Sequence, residues 1–178
     1  MRVAVTGTPG TGKTTATAIL ESRVDADDAL PPLEVIHLND VLEDEGLYTA
    51  VDADRDSLVA DLDAIEDWLA DREDVVIDSH LAHHVEADRV AVLRCHPDPL
   101  GDRLRDRGES EAKATENAES EALDVVLAEA VERHGLESVY EIDTTDRSPD
   151  AVADELAAVV AGDREPQAGT VDFVGYLE

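Results

Sequence analysis

Lysine is nearly missing from this sequence: Lys13 and Lys113 are the only two in 178 residues. Lysine and arginine together number 14 against 44 aspartates and glutamates, a net charge of -30. So small a basic complement excludes a free-standing nucleic-acid binder, whose surface must neutralise phosphates. The acid is spread along the chain rather than gathered in a tail, and the regular strand and helix runs exclude a disordered polyanion. Such charge suits very high salt, where the screening length falls to about 3 Å and self-repulsion is damped. In dilute buffer the protein is expected to be destabilised. Aromatic residues number five, Tyr48, Trp68, Tyr140, Phe173 and Tyr176, so Val, Ala and Leu must fill the core. The single cysteine, Cys95, excludes an internal disulfide and fits a reducing interior; its position reads as core at a strand end. No apolar run is long enough to span a bilayer and no signal-peptide pattern is present. The expectation is a cytoplasmic protein that makes no use of membrane.

What the sequence does contain is concentrated near its start. Arg2-Val3-Ala4-Val5-Thr6 is a short β-rich run. Gly7-Thr8-Pro9-Gly10-Thr11-Gly12-Lys13-Thr14 then fits G-x-x-x-x-G-K-[ST] at every fixed position. Glycines let successive backbone N–H groups turn inward into a nest for anions, and the following helix adds the positive end of its dipole. Lys13 can reach β- and γ-phosphates, and the Thr14 hydroxyl can ligate Mg²⁺. The chain is expected to bind a nucleoside triphosphate with Mg²⁺.

Beyond this loop, strands and helices alternate. Helix is expected from Lys13 to about Arg23, strand at Leu33–Leu38, and a short helix capped by Asn39-Asp40. Asp52 to Asp71 has helical apolar spacing at Leu58, Leu62, Ile65 and Leu69. Val75-Val76-Ile77 and Arg89–Arg94 read as strands buried on both faces. Helices are expected at Pro97–Arg107, Thr115–Arg133 and Pro149–Val160, with a fifth strand at Ser138–Asp143. This is an α/β fold with a doubly wound, five-stranded parallel sheet and ligands at the strand C-ends. An apolar run at Val171–Leu177, within the 162–178 tail, has no assigned place.

Two further groups carry chemistry. Asp78 directly follows the apolar strand at residues 75–77, where a carboxylate can hold the Mg²⁺ shell beside Thr14. His80 is expected to line the cleft, whereas His83 and His84 read as surface residues. Residues 89–113 hold Arg89, Arg94, Arg103, Arg105, Arg107 and Lys113, six of the 14 cations. Clamps of this kind stabilise transferred phosphoryl groups. Arg107-Gly108 and Glu109–Lys113 read as a hinge and small lid. Local pairing with Asp98, Asp102, Asp106 and Glu109 is the competing account, best suited to Arg105. A GTPase is disfavoured: neither lysine lies in an N-K-x-D context, and Asp98-Pro99-Leu100-Gly101 reads as a helix start.

Together these motifs resemble the adenylate kinase isoenzyme 6 family of P-loop nucleoside monophosphate kinases. They are GTPGTGKTT at Gly7–Thr15, L-x-D at Leu38–Asp40 with Leu47-Tyr48, V-I-D-x-H at Val76–His80, V-L-R at Val92–Arg94, and R-L-x-x-R-G at Arg103–Gly108. Lys113, Glu116-Asn117 and Glu121 follow. The resemblance implies a P-loop kinase domain over 1–161, a monophosphate-binding segment at about 37–60 and a lid at about 106–116. It implies that Gly10, Gly12, Lys13, Thr14, Thr15 and Arg107 hold ATP, that the loop at Arg147-Ser148 backs the adenine, and that Asp40 and His80 face the acceptor. Gly108, Lys113 and Asn117 belong to its lid. It further implies phosphoryl transfer between ATP and AMP or another monophosphate, ATPase activity, and a role in small-subunit maturation through a platform ribosomal protein, touching precursor rRNA only indirectly. Where relatives carry an arginine this chain has Glu43, so either Arg55, Arg94 or Arg103 clamps the acceptor phosphate or AMP binding is weak; after R-G it has Glu109 in place of a tyrosine. An ATPase assembly switch and a kinase for a non-nucleotide acceptor are the alternatives.

Overall fold

The computed structural model describes residues 1–26, 30–52 and 57–178. Strand β1 (Arg2–Thr6) runs through the Gly-rich loop into α1 (Lys13–Ala26), and β2 (Glu34–His37) passes directly into α2 (Leu38–Asp44). A hairpin, β3 (Tyr48–Asp52) and β4 (Ser57–Ala60), precedes α3 (Leu62–Leu69). Strand β5 (Val75–Asp78) ends near a 3-10 turn at Ala82–His84. Then come β6 (Arg89–Arg94), α4 (Pro97–Asp106), α5 (Glu111–Ala122), α6 (Val125–His134), β7 (Val139–Asp143) and α7 (Pro149–Ala161).

Among the described residues the main sheet has five parallel strands in the order β2-β5-β1-β6-β7. The chain therefore moves outward from β1 in both directions, which opens a crevice at the C-ends of β1 and its neighbours. Alternation along β1 sends Val3 and Val5 to one face, against Leu20 of α1 and Leu156 of α7. It sends Ala4 to the other, with Ile65 and Leu69 of α3 and Leu127 of α6. Helices on both faces explain why Val75–Ile77 and Val90–Leu93 are fully buried.

Three elements differ from the sequence expectation. Residues 52–71 are not one helix. The Asp61 carboxylate accepts the Ala64 N–H at 3.1 Å, which starts α3 at Leu62, and Leu58 belongs to β4. Thr115–Arg133 splits at Leu123-Asp124, where Asp124 adopts φ 55° without any Gly or Pro to mark the break. Helix α5 starts early, its N-terminus capped by Ser110, so the segment expected as a lid is a turn at residues 107–110 followed by regular helix. A smaller difference is that α2 begins at Leu38, with His37 rather than Asn39 at its N-cap.

The 162–178 tail runs back along β7. Gln167 forms a parallel bridge with Tyr140, and the N–H groups of Thr170 and Val171 donate to Glu141 Oε2 at 2.7 and 3.2 Å. Phe173 packs edge-on to His96 and beneath the Arg94 guanidinium, which gives the apolar run a place.

Candidate active site

Gly7 is the first constraint on the site. Its φ is +140°, and a Cβ there would stand 2.3 Å from the Leu93 carbonyl oxygen, so only glycine brings the loop this close to β6. The Thr8 hydroxyl donates to Glu121 Oε2 at 2.5 Å, and the Thr11 hydroxyl to the Thr8 carbonyl at 2.9 Å. Thr144, after β7, has its hydroxyl 3.1 Å from the Thr11 carbonyl. The loop is thus held from three sides before any ligand arrives.

Lys13 is buried and folds back over the loop, donating to the carbonyls of Gly7 at 2.7 Å and Thr8 at 3.0 Å. Burial lowers its pKa to about 8, opposed by the charges of Asp78 and Glu121. Thr14 and Thr15 are exposed on the first turn of α1. Asp78 ends β5 opposite His37 in β2. Its Oδ2 meets His37 Nδ1 at 3.0 Å and the Thr17 hydroxyl at 3.3 Å. Its Oδ1 is buried without a hydrogen-bond partner among the described residues. A buried carboxylate oxygen left bare facing a triphosphate loop, near a threonine hydroxyl, is a donor set that fits Mg²⁺.

Gly10, Gly12, Lys13, Thr14, Thr15, Asp40, Asp78, His80 and Arg107 line a single cleft of about 280 Å³. His37 lines it as well, although sequence reasoning passed it over; its place near the C-end of an expected strand was the available signal. His80 opens on this cleft, and desolvation followed by the charge of Lys13 pushes its pKa down to about 4, which keeps the ring neutral near pH 7. His80 and Asn39 also border a second, more apolar cleft walled by Leu42, Leu58, Val59 and Leu81 and edged by Glu43. Gly108, Lys113 and Asn117 face a third space, which shares His80 and Arg107 with the first.

The cation cluster separates by partner. Arg89 donates to the Val159 and Val160 carbonyls, Arg105 pairs with Asp102 and Glu111, and Lys113 pairs with Glu109. Arg94 corrects the sequence expectation most clearly. It is buried against Glu121 at 2.7 Å, Glu141 at 2.6 Å and Asp124, so its donors are committed to protein and cannot clamp an acceptor phosphate. Burial alone would lower its pKa, but Glu121 and Asp124 outweigh that and the net shift is upward. Arg103 also departs from expectation: it donates to the Gly10 carbonyl and to Cys95 Sγ and does not line the acceptor side. Ser148 caps α7 by accepting the Ala151 N–H at 3.2 Å. Arg55 lies outside the described residues. Arg107 is left: within the cluster it alone has no ion pair or side-chain hydrogen bond to the described residues, and it borders the phosphate cleft.

Known proteins resemble this chain in sequence and in fold. The family described as AAA domain matches residues 3–124. A protein of Natronomonas pharaonis named "Putative adenylate kinase" is 63% identical over 177 residues, covering 99% of this chain and all of its own. Its namesake in Halobacterium salinarum is 59% identical over 178 residues, with 99% and 100% covered. Among solved structures, a deoxyadenosine kinase from M. mycoides superposes with a TM-score of 0.57 at 14% identity, covering 92% of this chain and 100% of that one. At that identity the likeness is one of fold, the P-loop kinase fold.

Proposed function

The chain belongs to the adenylate kinase family of these archaeal relatives, and from that membership we propose that it transfers the γ-phosphoryl group of Mg·ATP to AMP or a related nucleoside monophosphate. The observation that carries this reading is the pair of clefts meeting at His80 and Asn39. An enzyme that only hydrolyses ATP needs the phosphate cleft; a second cleft with apolar walls suits the base of an acceptor.

In this account the loop N–H groups and Lys13 bind the β- and γ-phosphates, and Arg107 closes on the same charge. Lys13 must leave the Gly7 and Thr8 carbonyls to do so. Thr14 and the unpaired Asp78 Oδ1 would hold Mg²⁺ arriving with ATP, which supplies charge neutralisation at the phosphates. An acceptor phosphate oxygen attacks γ-phosphorus as the bond to the β-phosphate oxygen breaks. The attacking oxygen is already ionised, so no general base and no covalent enzyme intermediate are required. Neutral His80 serves as a hydrogen-bond donor between the clefts. Arg55, the only lysine or arginine in segment 37–60, is the acceptor-phosphate clamp in this reading.

The test is ADP formation in molar KCl from ATP with each monophosphate in turn. Strict dependence on an added monophosphate is expected, and Arg55→Ala should raise KM for it at least tenfold with KM for ATP little changed. Loss of ATP that ignores every monophosphate would overturn the kinase reading. The family resemblance also carries a further role, ATP hydrolysis on a platform ribosomal protein during subunit maturation. It predicts ATPase turnover stimulated by that protein.

Protonation gives an independent check. Unliganded Lys13 titrates near 8, and a triphosphate beside it must raise that value. Binding of Mg·ATP should therefore take up almost no proton at pH 6 and about half a proton at pH 8, with affinity weakening as pH climbs further. Calorimetry in two buffers of different ionisation enthalpy measures this; uptake that is flat from pH 6 to 9 would contradict it.

A further inference from the structure

His83, expected like His84 to be a surface residue, is placed otherwise. His83 is buried in the 3-10 turn, with Nδ1 2.8 Å from the Thr6 hydroxyl and Nε2 3.0 Å from Glu129 Oε2 on α6. The His84 ring lies beside it, with centroids 4.0 Å apart and planes tilted by 41°, and makes no hydrogen bond to the described residues. One ligand atom from each of His83, His84 and Glu129 lies within 4.8 Å of the others.

From this arrangement we propose that His83, His84 and Glu129 form a binding site for a divalent transition-metal ion of the zinc class, separate from the position of Mg·ATP. The hydrogen-bond pattern provides the first reason. The Thr6 hydroxyl is within donating distance of the His80 carbonyl, at 3.3 Å. When it donates there, His83 gives its Nδ1–H to Thr6, and the Nε2 lone pair faces a carboxylate oxygen. Two acceptors at that separation repel unless a cation lies between them. The outer partner of His83 is then the kind that fixes a metal-bound imidazole. His134 Nε2 meets the His83 carbonyl at 2.8 Å and steadies the turn.

Ligand type provides the second reason. Two imidazole nitrogens and one carboxylate oxygen suit a borderline cation, whereas Mg²⁺ prefers oxygen donors alone. Glu129 and His84 border the space shared with Arg107 and Lys113, which leaves room for water as a fourth ligand.

The experiment titrates the metal-stripped full-length protein with Zn²⁺ in molar KCl against a chromophoric chelator, so that diffuse binding to surface acids is screened. One tightly held equivalent is expected. His84→Asn, at a half-buried position, and Glu129→Gln, at an exposed one, should each weaken it at least tenfold. Zn²⁺ should raise Tm of the wild type and not of the variants. Absence of a stoichiometric equivalent, or wild-type affinity in either variant, would overturn the proposal and leave His83–Glu129 a simple hydrogen bond.

Discussion

Lys13→Met should lower kcat/KM for phosphoryl transfer by about 10³-fold or more, some 4 kcal/mol of transition-state stabilisation, without loss of fold. Lys13 is the single charge the loop directs at its own anion nest, and no neighbouring lysine can replace it: Lys113 is paired with Glu109. The stability side follows from the titration. A lysine whose pKa falls from 10.5 to about 8 on folding is held charged at a cost. That cost is fully present below pH 8 and fades as pH rises towards the unfolded value. At pH 7 the methionine variant should melt at the same temperature or higher. Measured together, kcat/KM and Tm should move independently. A variant that keeps most of its turnover would contradict the role given to Lys13, and one that unfolds would contradict the account of its burial.

Arg94→Ala should act in the opposite way, costing about 3–5 kcal/mol of stability because it strands buried carboxylates. Glu121 and Glu141 are each 2% exposed and lose their shared cation. Against the 5–15 kcal/mol typical of a folded domain, about a fifth or more of the total is at stake. The pair Arg94→Met with Glu121→Gln should be less destabilised than Arg94→Met alone, because one stranded charge has gone. Denaturant unfolding in molar KCl measures both. If Arg94→Ala is instead as stable as the wild type and changes chiefly KM for the monophosphate, Arg94 is a ligand clamp after all. The network also has a functional consequence. Glu121 accepts from Arg94 on one side and from Thr8 of the Gly-rich loop on the other, and Glu141 accepts from the 162–178 tail. Loop, α5, sheet and tail therefore share one set of charges.

What could be read in the sequence was what local chemistry fixes. The Gly-rich loop is set by the spacing of its own glycines and Lys13, and a strand covered on both faces must be apolar, as Val75–Ile77 and Val90–Leu93 are. Long-range partners were hidden. Arg94 looked like any cation in a cluster because its carboxylates lie 27, 30 and 47 residues away. The hairpin of β3 and β4 was concealed because Leu58 keeps helical register with Leu62, Ile65 and Leu69; the cap at Asp61 decides the boundary. The break at Asp124 carries no glycine or proline, and its left-handed conformation places the carboxylate on Arg94. His37 and Thr17 reach Asp78 through sheet register and helix packing, which spacing along the chain does not encode.

The most direct measurement of the central claim is calorimetric titration of Mg·ATP into the full-length protein in molar KCl. One site is expected on the wild type and none measurable on Lys13→Met at the same concentrations. A wild type that takes up no nucleotide, or a Lys13→Met variant that binds it with unchanged affinity, would contradict it.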